Sequence, residues 1–119
     1  MKYELAYLSS FVDDMLHITA YMLESEYPED IVKKFQNEIE KKTESLRESP
    51  KRFTVYEKIP EFHRMLVLYD YQVFYTINDY KKLVQIHHIL HSHRNILKFL
   101  QYERDATKRM KLTGGYDHV

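Results

Sequence analysis

RMLVLYDYQVFYTIN, residues 64–78, decides the fold. Met65, Val67 and Tyr69 alternate with Leu66, Leu68 and Asp70, and the alternation resumes as Val73, Tyr75 and Ile77. A period of two puts successive side chains on opposite faces of an extended chain, so the stretch reads as two strands. They turn near Tyr69–Gln72, although no Asn-Gly pair marks the hairpin. Asn78-Asp79 gives a second turn, and Leu83–Leu90 is a third strand in the same β-branched and aromatic vocabulary. Phe53–Tyr56 adds a short edge strand.

Upstream the pattern is helical. Residues 2–8, KYELAYL, alternate as a first strand that Ser9 and Ser10 stop. Ser10 with Asp13 has the form of a capping box, with the shorter Asp in place of Glu. A helix from about Phe11 to Ser25 then carries the stripe Phe11, Met15, Ile18 and Met22. Pro28 suits the first turn of a second helix, and Glu29 and Asp30 suit its positive end. Ile31, Phe35, Ile39 and Leu46 line the apolar face of that helix, and Ser49-Pro50 ends it. Downstream, Ile96, Leu97, Leu100 and Glu103 suggest a closing helix. The expected architecture is α+β, in the order β-α-α-β-β-β-α, with an antiparallel sheet packed on a helical hairpin. Residues 1–112 form one domain, and residues 113–119, with Gly114-Gly115, a flexible tail.

Composition agrees with one globular domain. The chain has 119 residues, 2 glycines and 3 prolines, too few of either for a disordered or loop-dominated protein. It has no cysteine, which rules out a disulfide framework and any thiolate zinc site. No run approaches the roughly 18 apolar residues of a membrane span, and the N-terminus is too polar for a signal peptide, so a cytoplasmic location is expected. Net charge is zero but unevenly spread. Residues 1–80 carry 10 Lys/Arg against 15 Asp/Glu, and residues 81–119 carry 8 against 3. A basic C-terminal end can be a working surface or simply a solvated helix face.

IHHILHSHRN (86–95) holds four of the seven histidines. On a strand, His87 and His91 lie about 13 Å apart at roughly 3.3 Å per residue, too far to share an ion. His91 and His93, about 6.6 Å apart on the same reckoning, could reach one ion but lack a third ligand. Neither metal nor cofactor is therefore expected. Alternation puts His87, Ile89 and His91 on one face, and Val84, Ile86, His88 and Leu90 on the other. His88 reads as a hydrogen-bonded core histidine. His91, His93 and Arg94 stand where the strand exits into the basic segment, a place suited to chemistry or anion binding.

Strand, helical hairpin and Arg-led meander together resemble the RelE/ParE toxins of bacterial type II toxin–antitoxin pairs. The resemblance runs over about residues 3–97. It is carried by YELAYLSSFVDDMLHITAYM, LRESP, HRMLVLYDYQVFYTIN and VQIHHILHSHRN. It implies a growth-inhibiting toxin of the plasmid-stabilisation type, held by a cognate antitoxin that wraps the sheet and helix pair. RelE-like members cut mRNA on the ribosome, whereas ParE-like members poison DNA gyrase by binding it.

By position, Arg64 matches the arginine opening the central strand in both branches. His91 and Arg94 match polar residues at the end of the last strand. In a nuclease, guanidinium groups would clamp the scissile phosphate and an imidazole would move a proton. Lys51, Arg52 and Lys58, with His93 and Lys98 in the exit segment, are the expected target-binding groups. Two features lean toward the gyrase-directed branch. Cleaving members often carry a tyrosine a few residues past the last-strand arginine, where this chain has Leu100. They also tend to be strongly basic, as suits a ribosomal partner, and this chain is neutral. Enzyme and binder stay open, as does a degenerate member without toxicity. The antitoxin is not legible in the sequence, nor is the oligomeric state, a homodimer being one arrangement open to the chain.

Overall fold

The structure, a computed structural model, describes residues 2–68, 70–92 and Leu100. The chain opens with β1 (Glu4–Tyr7) and turns directly into α1 (Ser9–Glu24). A short connection leads to α2 (Glu29–Glu44), followed by two 3-10 turns (Ser45–Arg47 and Pro50–Arg52). The meander β2 (His63–Val67), β3 (Tyr71–Asn78) and β4 (Leu83–His91) completes the described chain. Strand order is β1-β4-β3-β2. The α+β fold with a helical hairpin against a sheet is as expected, with one refinement. The meander pairs are antiparallel, but β1 runs parallel to β4, so the sheet is mixed. Only a crossover can make that pair, and the hairpin α1–α2 is part of it.

The helix starts differ from the local pattern in where their caps fall. No side chain caps α1; Leu8 is its N-cap, and the expected Ser10–Asp13 box is absent. Ser10 lies inside the helix, where its hydroxyl donates to the His87 carbonyl at 2.6 Å. Pro28 is the N-cap of α2 rather than part of its first turn, while Glu29 and Asp30 do occupy that turn. Val32, Phe35, Ile39 and Thr43 form the buried face of α2, and Ile31 is exposed. The expected edge strand at 53–56 reduces to a single bridge, Val55 to His63. The second turn is where Asn78 suggested it, its side-chain oxygen accepting from the Lys81 N–H at 2.9 Å.

Two apolar clusters lie on opposite faces of the sheet. The larger joins Phe11, Met22, Phe35 and Ile39 of the helices to Met65, Val73, Tyr75, Val84, Ile86 and Ile89. The smaller lies on the outer face, where Ile59 and Leu100 pack on Phe74 and Leu90 with Tyr56 and Phe62 beside them. Leu100 is the described residue of the expected closing helix; its neighbours in that helix and the 113–119 tail lie outside the described residues. Among the described residues, no helix is long and apolar enough to cross a membrane.

One irregularity shapes the site. Phe74 pairs with His88 but Tyr75 pairs with Ile86, which leaves His87 as the extra residue of a β-bulge. A bulge resets alternation. Ile89 therefore joins Val84 and Ile86 on the helical face instead of opposing them.

Candidate functional site

Arg64 opens β2 opposite Phe74, whose ring belongs to the outer cluster. Its guanidinium carbon lies 5.1 Å from the centre of the Tyr56 ring, a cation–π geometry on the sheet face turned away from the helices. Lys58 is exposed next to Ile59, which anchors the same outer cluster. His91 is elsewhere. It pairs with Tyr71, and the two rings meet edge to face at 5.1 Å. Tyr71 in turn packs on Phe35 of α2, which puts His91 on the helical face. Arg64 and His91 thus look out from opposite sides of the sheet.

The remaining expected residues divide further. Lys51 is ion-paired with Asp79 at 3.0 Å, and Asp79 also accepts from the Tyr3 hydroxyl at 2.7 Å. Those two hydrogen bonds, from Tyr3 and then Lys51, hold the Asp79 carboxyl below its ordinary range. Arg52 donates to the Ser45 hydroxyl at 2.8 Å and covers the Phe53 ring. Lys51 and Arg52 are therefore tied into the rim of the fold rather than gathered round Arg64. His93, Arg94 and Lys98 lie outside the described residues.

His88 is the core histidine that its apolar neighbours suggested, 6% exposed. Asp14 of α1 accepts from its Nδ1 at 2.8 Å and from the Ile89 N–H at 3.1 Å. Sequence reasoning passed over Asp14. A signal was available, because Asp14 falls three residues after Phe11 and four before Ile18, inside the apolar stripe of α1. A carboxylate on a buried stripe needs a partner. His87, in the bulge, is hydrogen-bonded to the Thr76 hydroxyl at 3.0 Å and meets Phe62 edge to face. Burial, with neighbouring His88 adding to it, pushes His87 down to about 4. It is neutral at physiological pH and poorly matched to proton transfer there. Among the described residues, no group of three or more His, Cys, Asp or Glu side chains could hold a metal ion.

The sequence matches the model of the ParE toxin of the type II toxin–antitoxin system, parDE, over residues 5–96. The chain belongs to the ParE toxin family. Solved structures similar to this ParE-family chain come from toxin–antitoxin systems. One is the RelBE2 toxin–antitoxin complex of Mycobacterium tuberculosis, 16% identical, with a TM-score of 0.52 over 76% of this chain and 99% of that one. A second is an arginine-to-alanine mutant of the E. coli toxin RelE in its free state, 15% identical, with a TM-score of 0.58 over 87% and 98%. A third is the isolated E. coli RelE toxin, also 15% identical, with a TM-score of 0.52 over 91% and 98%. At such identities the likeness establishes the fold. No curated protein matches the sequence.

Proposed function

We propose that this ParE-family toxin inhibits growth by binding an essential target, DNA gyrase, and not by cutting RNA. The reading rests on the separation of Arg64 from His91. An in-line cleavage needs the phosphate clamp and the proton-transfer group within a few ångströms of one scissile bond. Two groups on opposite faces of a sheet do not meet that need. The neutral charge of the chain points the same way, since a ribosomal partner rewards a strongly basic protein. The alternative, a RelE-like ribosome-dependent mRNA endoribonuclease using Arg64, His91 and Arg94, draws on the fold shared with E. coli RelE.

A cognate antitoxin is the expected second partner. The groove between α1 and α2 suits it: Tyr7, Phe11 and Met15 line it, and Val12 and Leu16 stand exposed alongside. Apolar anchors at helical spacing are what an amphipathic partner helix packs against. Tyr75 of the meander is fully buried and takes no part in that surface. Amide exchange of the free and antitoxin-bound protein should show new protection on both helices.

Induced expression distinguishes the two readings. A gyrase binder leaves mRNA uncut in primer extension while DNA breaks accumulate, and Arg64→Ala relieves the growth defect whereas His91→Ala changes it little. Position-specific mRNA cuts that His91→Ala weakens by about 100- to 10,000-fold would replace the binder with the nuclease. Growth, mRNA and supercoiling all untouched by the wild type would identify a member that has lost its toxicity.

A further inference from the structure

At the tip of the helical hairpin, on the side away from the α1–α2 groove, lies a cleft of about 540 Å³. Tyr21, Tyr27 and Tyr71 supply its aromatic wall, Phe35 lies beneath them, and Asp70 and His91 stand at the rim. It shares no lining residue with the groove assigned above to the antitoxin. Its volume falls within the roughly 300–1,000 Å³ of ligand-receiving clefts.

The lining holds a carboxylate, three phenols and the imidazoles of His17 and His91, with no lysine or arginine. Among the described residues, neither the Asp70 carboxylate nor the hydroxyls of Tyr21, Tyr27 and Tyr71 have a hydrogen-bond partner. The adjoining hairpin connection, ESEYPED (24–30), adds four carboxylates and no cation. Burial, then the neighbouring Tyr27, Asp70 and Tyr21, push the Tyr71 phenol above its ordinary value. The part of that rise due to Asp70 and the two phenols disfavours a further anion beside Tyr71.

The backbone of Asp70 is held in place. Leu68 takes a left-handed conformation at φ 50°, which lets its carbonyl accept from the Asp70 N–H at 2.6 Å. The Asp70 carbonyl in turn accepts from the Ser92 N–H at 2.6 Å. A non-glycine residue in that conformation persists only where its surroundings hold it. Tyr71 is fixed by edge contacts with Phe35 at 5.2 Å and His91 at 5.1 Å. Tyr21 and Tyr27 are 64% and 44% exposed, large apolar rings left open to solvent in the same cleft as the Asp70 carboxylate.

We propose that this cleft receives an arginine side chain of a protein partner, its guanidinium stacked on the tyrosine rings and paired with Asp70. Arginine fits better than lysine. Its planar, weakly hydrated cation stacks on aromatic faces and binds a carboxylate through two N–H groups at once, whereas an ammonium gives up more hydration to enter. A protein-borne arginine also fits better than the free amino acid, whose α-carboxylate would meet Asp70 and the 24–30 carboxylates. The proposal goes beyond the toxin reading and stands whether the target is gyrase or RNA.

The test uses the full-length protein and the blocked peptide acetyl-Gly-Arg-Gly-amide, followed by NMR. The expected result is a dissociation constant on the order of 1 mM, with shifts confined to the residues of the cleft. Asp70→Asn and Tyr27→Leu, both at exposed positions, should each weaken binding about tenfold without moving the thermal transition. Free L-arginine, the lysine peptide and the citrulline peptide, a neutral isostere, should bind more weakly. Equal binding of citrulline, lysine or free arginine would overturn the proposal. So would shifts centred elsewhere, indifference to both substitutions, or no binding by about 50 mM.

Discussion

The two halves of β4 are completed in different ways. From Leu83 to Ile86 the strand has a neighbour on each side, β3 antiparallel and β1 parallel, in the ordinary manner of a sheet interior. From His87 to His91 only β3 remains, because the chain leaves β1 at Tyr7 and starts α1 at Ser9. There the first turns of the helix stand in for a strand. Ser10 donates to the His87 carbonyl, and Asp14 accepts from the Ile89 N–H and from His88 Nδ1. Backbone groups that a fifth strand would have satisfied are met by two side chains instead. The first half depends on a repeating backbone ladder, which tolerates substitution; the second depends on residue identity.

Breaking that second half should have the largest effect. Asp14→Ala strands two buried donors, each costing about 1–3 kcal/mol, so a loss of about 3–4 kcal/mol in chemical denaturation is expected. Exchange of the Ile89 amide should rise more than that of Val84. Equal rises along β4 would mean that the two halves are held alike.

Acid gives the next effect. His87 has a folded-state value of about 4 against the usual 6.5, so the unfolded chain binds the extra proton between those values. Stability contributed by the neutral ring is complete above about pH 6.5, falls as the pH drops toward 4, and levels off below it; the full span is about 3 kcal/mol at most. The difference between wild type and His87→Leu in denaturant midpoints across this window isolates the term. A flat difference would show that the bulge histidine is not shielded.

Smaller effects sharpen the contrast. Ser10→Ala removes one hydrogen bond at the helix-closed half and should cost about 1 kcal/mol. Tyr7→Phe acts on the strand-closed half, removing the 2.7 Å hydrogen bond between the Tyr7 and Thr43 hydroxyls that ties β1 to α2. That group is partly solvated, so about 0.5–1 kcal/mol is expected. A larger loss for Tyr7→Phe than for Ser10→Ala, measured by thermal melting, would reverse the ranking of the two halves.

What the sequence revealed follows the range of each interaction. The alternation of 64–78 and the stripe Phe11, Met15, Ile18, Met22 are local patterns, and both gave their elements. The asparagine turn at 78 and the acidic first turn of α2 are equally local. The Ser10–Asp13 box failed because Ser10 found a partner 77 residues away, an attraction that no neighbouring residue announces. The parallel β1–β4 pair was hidden because a four-residue strand alternates identically in either direction. The bulge at His87 defeated the face assignment for the same kind of reason: HH within an apolar run carries no mark of an extra residue. For the candidate site, Arg64 and His91 were sensible by position along the chain. Their separation depends on which face each strand presents, and that was set by packing against the hairpin.

The bulge and its helical cover also bear on the chain before it is folded. VQIHHIL (84–90) contains no charged residue and no proline, and its isoleucines, valine and leucine suit the stacked sheets of cross-β fibres. In the native molecule both flanks of this segment are occupied. In a nascent chain whose α1 has not docked, the flank from His87 onward is an open template for another copy. Charge and proline are the usual guards against such templating, and β4 has neither. Protection against aggregation therefore depends on timing, on α1 reaching a strand made about sixty residues after it.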